Sequence, residues 1–218
     1  MADVVLYGPA YSAYTRTARL ALIEKGVVYR LEEVDFAGGK GMPAEHMARH
    51  PFGKVPVLGH GDVLLYETTA ICRYVDAAFD GPALQPVEPR ALARMAQVVA
   101  VLDSYLSQPI RMGLASELVF KPLYGHRPDV AVVAGAEAAV AHGLAALDAL
   151  ITGTDHIVGD VPSLADAFAA PLIDYLTMCP DGVRYLDPAP RLAAWWATWR
   201  MRPSVVETRP DLSGIGRR

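Results

Sequence analysis

The period of hydrophobic and polar positions changes near residue 80. Before it, apolar stretches are short and interrupted by turn residues. Residues 3–7 read Asp-Val-Val-Leu-Tyr and stop at Gly8-Pro9, which predicts a buried strand and a turn. Ser12 stands where a helix cap is wanted, Ala18, Ala21 and Leu22 follow at helical spacing, and Gly26 is the stop. Val28–Asp35 alternates apolar and polar residues as a second strand would. A glycine-rich loop (Gly38-Gly39-Lys40-Gly41) leads to a short helix over 43–49. Strands at 55–58 and 63–66 flank a Gly59–Asp62 turn, and a helix covers 67–79. That order, βαβ then hairpin then helix, predicts a small α/β domain with a mixed sheet.

Residues 80–89 carry three prolines and a glycine, which reads as a linker. Every long segment beyond is helical in pattern. Leu92, Met95, Val99, Leu102 and Leu106 step by three and four, as do Val133, Val140, Leu144, Leu147 and Ile151 with small residues between. Prolines, glycines and aromatics of exposed type break the pattern over 107–128, which is expected to be irregular. Ser163-Leu-Ala-Asp166 opens another helix with a capping-box spacing. Leu192, Trp195, Trp196 and Trp199 give the last helix a heavy apolar face, read as core.

Composition narrows the function classes. Apolar residues make up 52% of the chain and charged ones 20%, enough for an ordinary folded core. The net charge of −4 comes from interspersed acids and bases, with no basic stripe of the kind nucleic acid requires. Arg209, Arg217 and Arg218 near the C-terminus read as a solvated tail. Cys72 and Cys179 are too few and too far apart for a disulfide framework or a metal site, so a cytosolic setting is expected. The N-terminus offers no signal peptide, since Asp3 precedes an apolar run of only four residues. Val130–Ile151 is apolar, but Glu137, His142 and Asp148 are expected to interrupt it short of a membrane span. No membrane or nucleic-acid partner is expected.

The candidate chemistry lies in His50-Pro51-Phe52-Gly53-Lys54-Val55-Pro56-Val57-Leu58 and Glu67-Thr68-Thr69-Ala70-Ile71. A proline just inside a strand removes a ladder donor and leaves backbone open at an edge. An acid and hydroxyls opening an apolar-periodic segment mark a helix N-terminus with free N–H groups. An open strand edge facing such a helix start suits a small peptide with carboxylates, which points to glutathione. His46 and His50 have a metal-like spacing, but Pro51 biases His50 away from helix geometry and no third ligand is near, so no metal is expected.

Together these motifs resemble the cytosolic glutathione S-transferases over the whole chain. Phe52-Gly53-Lys54-Val55-Pro56 looks like the family's loop ending in a cis-proline. Glu67-Thr68-Thr69-Ala70-Ile71 looks like its acid-hydroxyl pair, and Ser163-Leu-Ala-Asp166 like its capping box in the helical domain. Ser12-Ala-Tyr-Thr15-Arg16 is similar to the serine-type members, the phi class and bacterial relatives above all. The resemblance implies a thioredoxin-like domain with a mixed four-stranded sheet over 1–80, a linker at 81–89 and an all-helical domain over 90–218. It also implies a cytoplasmic homodimer that uses glutathione as cosubstrate, with no metal.

The resemblance assigns Ser12 to thiol activation. A plain N-cap is the alternative from position alone, and Tyr7, Tyr11 and Tyr14 compete for the role. Val55, presented by Pro56, would pair with the peptide's main chain. Glu67 and Thr68 would hold its γ-glutamyl end, and Lys40 and Lys54 its glycyl carboxylate. An ordinary acidic helix start and solvated lysines are the alternatives. Tyr11, Tyr105, Arg111 and Phe120, with Met112 and Leu118, are candidates for the electrophile, or else ordinary surface and core. The implied reaction joins a glutathione thiolate to a small electrophile. Isomerisation or peroxide reduction on the same thiolate, or a non-catalytic scaffold, are the other readings.

Overall fold

The computed structural model describes residues 3–36 and 41–212. The chain divides into two units: one runs to Leu84 and takes in Glu207–Pro210, and the other takes in Gln85–Val206. Gly38, Gly39 and Lys40 of the glycine-rich loop, and Arg217 and Arg218 of the C-terminal tail, lie outside the described residues.

In the first unit β1 (Val4–Tyr7) pairs parallel with β2 (Arg30–Glu32) and antiparallel with β3 (Val57–His60), which pairs antiparallel with β4 (Val63–Tyr66). A parallel pair needs a crossover, and α1 (Ala13–Lys25) supplies it. Ser12 caps α1, its Oγ accepting from the Thr15 N–H, and Gly26 ends the helix at φ +77°. α2 (Ala44–Arg49) precedes β3, and α3 (Thr68–Ala78) follows β4. α1 and α3 pack on one another and on the sheet, burying Leu6, Leu20, Leu22, Leu58, Ile71, Cys72 and Val75. A buried ion pair ties their far ends: Lys25 Nζ donates to Asp76 Oδ1 at 2.9 Å and to the Pro82 carbonyl at 3.1 Å.

Three expected boundaries shift. β2 is shorter than the alternating stretch, because Val28 is exposed and only Arg30–Glu32 pairs with β1. β3 begins at Val57 and not Val55, since Pro56 has no N–H to give the ladder; the Val55–Pro56 peptide is cis. β3 also runs on to His60, so the turn to β4 is shorter than Gly59–Asp62.

The second unit is helical. α4 (Pro89–Val101) is capped by Glu88, whose carboxylate accepts from the Arg90 and Ala91 N–H groups. The stretch expected to be irregular is helical instead. α4 continues through π-helical segments Leu102–Leu106 and Pro109–Phe120 into the short α5 (Lys121–Leu123). Its breaker residues sit where they do no harm. Pro109 opens the second π-helical segment and Pro122 falls in the first turn of α5, so both stand at joints of the run where its hydrogen-bond register changes. Gly113 is buried where α6 (Val130–Asp148) crosses: a Cβ there would lie 2.3 Å from that of Ala136. Phe120 meets the Tyr175 ring at 5.7 Å.

α6 is also longer than its charged residues suggested. It is an unbroken 19-residue helix, by length and composition apolar enough to cross a bilayer. Ala136, Val140, Gly143, Leu144 and Leu147 are buried along it, and it packs on Pro109–Phe120 and on α8 (Pro190–Trp199). α7 (Leu164–Met178) is the most enclosed element. α9 (Pro203–Thr208) follows α8.

The capping box at α7 holds more than its own helix. Asp166 Oδ2 accepts from the Ser163 N–H at 2.9 Å and the Ser163 hydroxyl at 3.0 Å. Its Oδ1 accepts from the Ile157 N–H at 2.9 Å and from Trp195 Nε1 of α8 at 2.8 Å. Burial pushes the Asp166 carboxyl upward from the usual carboxylate range, and these donors oppose that. One carboxylate therefore joins a loop, a helix start and the tryptophan face. Asp166→Ala strands several buried donors and is expected to cost about 3–5 kcal/mol, read from urea unfolding. Gly113→Ala, which on an open helix adds stability, is expected here to cost about 1–3 kcal/mol by overpacking against Ala136 in the same assay.

Candidate functional site

Tyr7, Val57 and Tyr66 form one rung across β1, β3 and β4. Gly8, Pro56 and Glu67 each lie one residue beyond it, at the same end of the sheet. The first turn of α1 closes on that end: a side chain at Gly8 would lie 2.5 Å from Thr15 Oγ1 and 3.4 Å from the Val55 Cβ. Glycine is what lets the helix start and the loop before β3 approach so closely. The fold thereby brings together Ser12, Val55, Pro56, Glu67 and Thr68 from three stretches of sequence.

Each of these presents a distinct group. Ser12 Oγ accepts from the Thr15 N–H at 3.4 Å, which occupies a lone pair and leaves the hydroxyl proton free to be donated. Val55 precedes the β3 ladder, so its own peptide groups are outside the strand pairing. Glu67 adopts φ +70°, a region that non-glycine residues rarely enter. It is exposed, and its side chain makes no capping bond to α3. Thr68 is buried at the first position of that helix, where N–H groups have no intrahelical acceptor. The Lys54 side chain is exposed, and Lys40 lies outside the described residues.

Tyr7 points elsewhere. Its ring lies beside Gly59, two residues further into β3 than its strand partner Val57, with the Arg49 guanidinium 4.1 Å from the ring centroid. The phenol is thus folded back over the sheet, away from the end occupied by Ser12. Tyr11 and Tyr14 are half-buried beside the start of α1. Neither cysteine is a thiolate near neutral pH: burial pushes Cys179 up to about 11 and Cys72 higher still.

The remaining candidates belong to the second unit. Tyr105 and Met112 are exposed on the π-helical segments, and Arg111 Nη1 donates to Ser107 Oγ at 3.0 Å. Phe120 and Leu118 are half-buried, Phe120 against Tyr175. Among the described residues no group of three or more His, Cys, Asp and Glu side chains could hold a metal ion. His46 and His50 are buried and bonded to the loop that ends at Pro56. In the sequence their spacing carries only a metal signal. No local signal marks Gly8 and Thr15 as a close-approach pair, since Val55 meets them from a distant stretch of chain.

Comparison with known proteins agrees with this architecture. Residues 6–83 match the family model described as glutathione S-transferase, N-terminal domain, and residues 130–197 match glutathione S-transferase, C-terminal domain. Glutathione S-transferase F10 of Arabidopsis thaliana is 31% identical, covering 88% of this chain and 90% of its own. Glutathione S-transferase 4 of Zea mays is 32% identical, covering 93% and 90%. Among solved structures, glutathione S-transferase III in apo form superposes with a TM-score of 0.82 at 30% identity, over 98% of this chain and 97% of its own. Glutathione S-transferase-I bound with lactoylglutathione gives a TM-score of 0.83 at 28% identity, over 95% and 98%. With both family domains matched in order and relatives above 30% identity aligned over nearly their full length, the chain belongs to the glutathione S-transferase family.

Proposed function

We propose that this glutathione S-transferase is a serine-type, phi-like enzyme in which Ser12 Oγ–H donates to the glutathione sulfur and holds it as a thiolate. The observation that carries the reading is the convergence at Gly8, which sets the start of α1 against the loop ending in cis Pro56. A free thiol has a pKa near 8.5, and lowering it by about two units needs roughly 2.7 kcal/mol of preference for the anion. A charge-assisted hydrogen bond supplies on the order of 1.5–3 kcal/mol, and the dipole at a helix N-terminus about 0.3–1 kcal/mol more. One serine at a helix start is therefore sufficient, and no covalent intermediate on it is required.

The other contacts follow from chemistry. Val55 pairs its main chain with the cysteinyl residue of glutathione, as a strand edge receives a peptide. Thr68 and the N–H groups opening α3 take the γ-glutamyl carboxylate, and Glu67 takes the adjacent amino group. The backbone angle at Glu67 keeps its carboxylate off the helix it precedes. Lys54 and Lys40 serve the glycyl carboxylate. Tyr105, Arg111 and Phe120 of the helical domain beginning near residue 90 contact the electrophile. That a relative of the same fold is described with lactoylglutathione bound supports a glutathione derivative as the ligand class. A cytoplasmic homodimer completes the proposal, and a monomeric mass by light scattering would refute that part.

The test reads the sulfur directly and assumes no electrophile. Ultraviolet absorbance of bound glutathione, titrated over pH, is expected to show thiolate near neutrality. In Ser12→Ala its apparent pKa returns about two units toward 8.5. Tyr7→Phe is expected to leave that pKa at the wild-type value. Thiolate that survives Ser12→Ala but vanishes in Tyr7→Phe would transfer the role to the phenol.

A further inference from the structure

The histidine pair beneath the loop before β3 has no part in the chemistry above, yet the loop's backbone depends on it. His46 Nε2 lies 2.7 Å from the Lys54 carbonyl, which only accepts, so Nε2 carries the proton and donates. His50 ends α2, its N–H bonded to the His46 carbonyl at 2.8 Å. The Gly53 N–H returns to the His50 carbonyl at 2.9 Å, and the Phe52 N–H donates to His50 Nδ1 at 3.3 Å. Both imidazoles are buried, with ring centroids 6.4 Å apart. His50 also packs on the Tyr66 ring at 4.7 Å.

The Lys54 carbonyl is half of the Lys54–Val55 peptide plane, and the Val55 N–H is the other half. In a trans peptide the two point in opposite directions. Fixing the carbonyl on His46 therefore fixes where the Val55 N–H is aimed. His50 holds the preceding turn through Nδ1, and it can accept there only while that nitrogen is unprotonated.

We propose that His46 and His50 are positioning residues for the loop that presents Lys54 and Val55, and that protonation of His50 releases this loop and weakens glutathione binding in mild acid. The proposal rests on the glutathione site described above and adds a pH dependence to it.

The charged and titratable groups facing the His50 ring come from every element around it: His46 of α2, Lys54 of the loop, Glu67 at the start of α3 and Tyr66 of β4. Burial is the largest influence and lowers the His50 pKa from its ordinary value. Glu67 opposes it, while His46 and Lys54 reinforce it. His50 is consequently neutral at pH 7. Its contribution to the folded loop is present above the ordinary imidazole value and is lost as pH falls through the lowered one. A proton on Nδ1 would set a donor against the Phe52 N–H and place positive charge beside His46 and Lys54.

The experiment is calorimetric binding of S-methylglutathione to the full chain between pH 7.5 and pH 5, a probe with no thiol to titrate. The wild-type Kd is expected to rise about three- to tenfold toward pH 5, the fraction of binding-competent loop falling with His50 protonation. In His50→Asn, whose amide oxygen still accepts from the Phe52 N–H but takes no proton, the rise flattens to under about twofold. His46→Ala weakens binding by about tenfold at pH 7.5, and His46→Gln, which retains a donor for the Lys54 carbonyl, restores it. His60→Gln, a histidine paired with Tyr74 elsewhere in the first unit, keeps the wild-type profile. A flat wild-type profile overturns the inference, as does a His50→Asn slope as steep as wild type or a His60→Gln profile that flattens. Should His50→Asn fail to fold, His50→Gln takes its place, its amide likewise taking no proton, and a slope as steep as wild type there overturns the inference equally. Absence of binding even at pH 7.5 overturns the glutathione reading itself.

Discussion

Helix starts are the constraint around which this molecule is arranged. Each leaves backbone N–H groups with no acceptor in the helix, and each must find one elsewhere. In the helical unit the chain supplies them itself. Glu88 accepts at α4, Asp129 at α6, Asp166 and Ser163 at α7, and Asp148 takes the Leu192 N–H near the start of α8. In the first unit the provision is thinner. Ser12 gives α1 one long bond, and Glu67 gives α3 none from its side chain. Both thin starts follow the Tyr7–Val57–Tyr66 rung, that of α3 by one residue and that of α1 by five, across Gly8. A ligand bearing a carboxylate and a thiolate is the complement of that deficit, and this is the physical sense of the proposed site.

The loop between α2 and β3 obeys the opposite rule. It carries backbone that strand pairing cannot use, since β3 begins only after Pro56, and that backbone is steadied by side chains. Imidazoles suit the purpose because one nitrogen donates and the other accepts, so a buried pair can serve a carbonyl and an N–H in turn. The same versatility makes them sensitive to a proton. The spacing that resembles a metal site is thus explained by two loop bonds, at Lys54 and at Phe52.

Where the chain states its structure locally, it was legible. Ser12 and Gly26 bracket α1, Ser163 and Asp166 open α7, and the stepping of Val140, Leu144 and Leu147 gives the buried face of α6. What could not be read depends on partners distant in sequence. Gly113 looks like a helix breaker until Ala136 is found against it, and Pro109 until it is seen to stand where one π-helical segment gives way to the next. The tryptophan face reads as core, but no periodicity shows that Trp195 Nε1 ends on Asp166. At the site, Ser12, Val55, Pro56, Glu67 and Thr68 were all visible as motifs. Their convergence depends on Gly8, whose only mark is the absence of a side chain.

The choice between a serine and a tyrosine as thiol donor turns on the same geometry. Both residues lie near the end of β1, and a phenol at Tyr7 could in principle reach past the rung. The ring leaves the strand in the other direction, toward Gly59, a position with no side chain to obstruct it. Arg49 then covers the ring face at 4.1 Å, which adds a cation–π attraction of about 0.5–1 kcal/mol or more to that orientation. Swinging the phenol to the sheet end would forfeit this contact and uncover the apolar ring. Ser12 meets no such cost. It is already fixed as the cap of α1, its lone pair is engaged by Thr15, and its proton remains to be given.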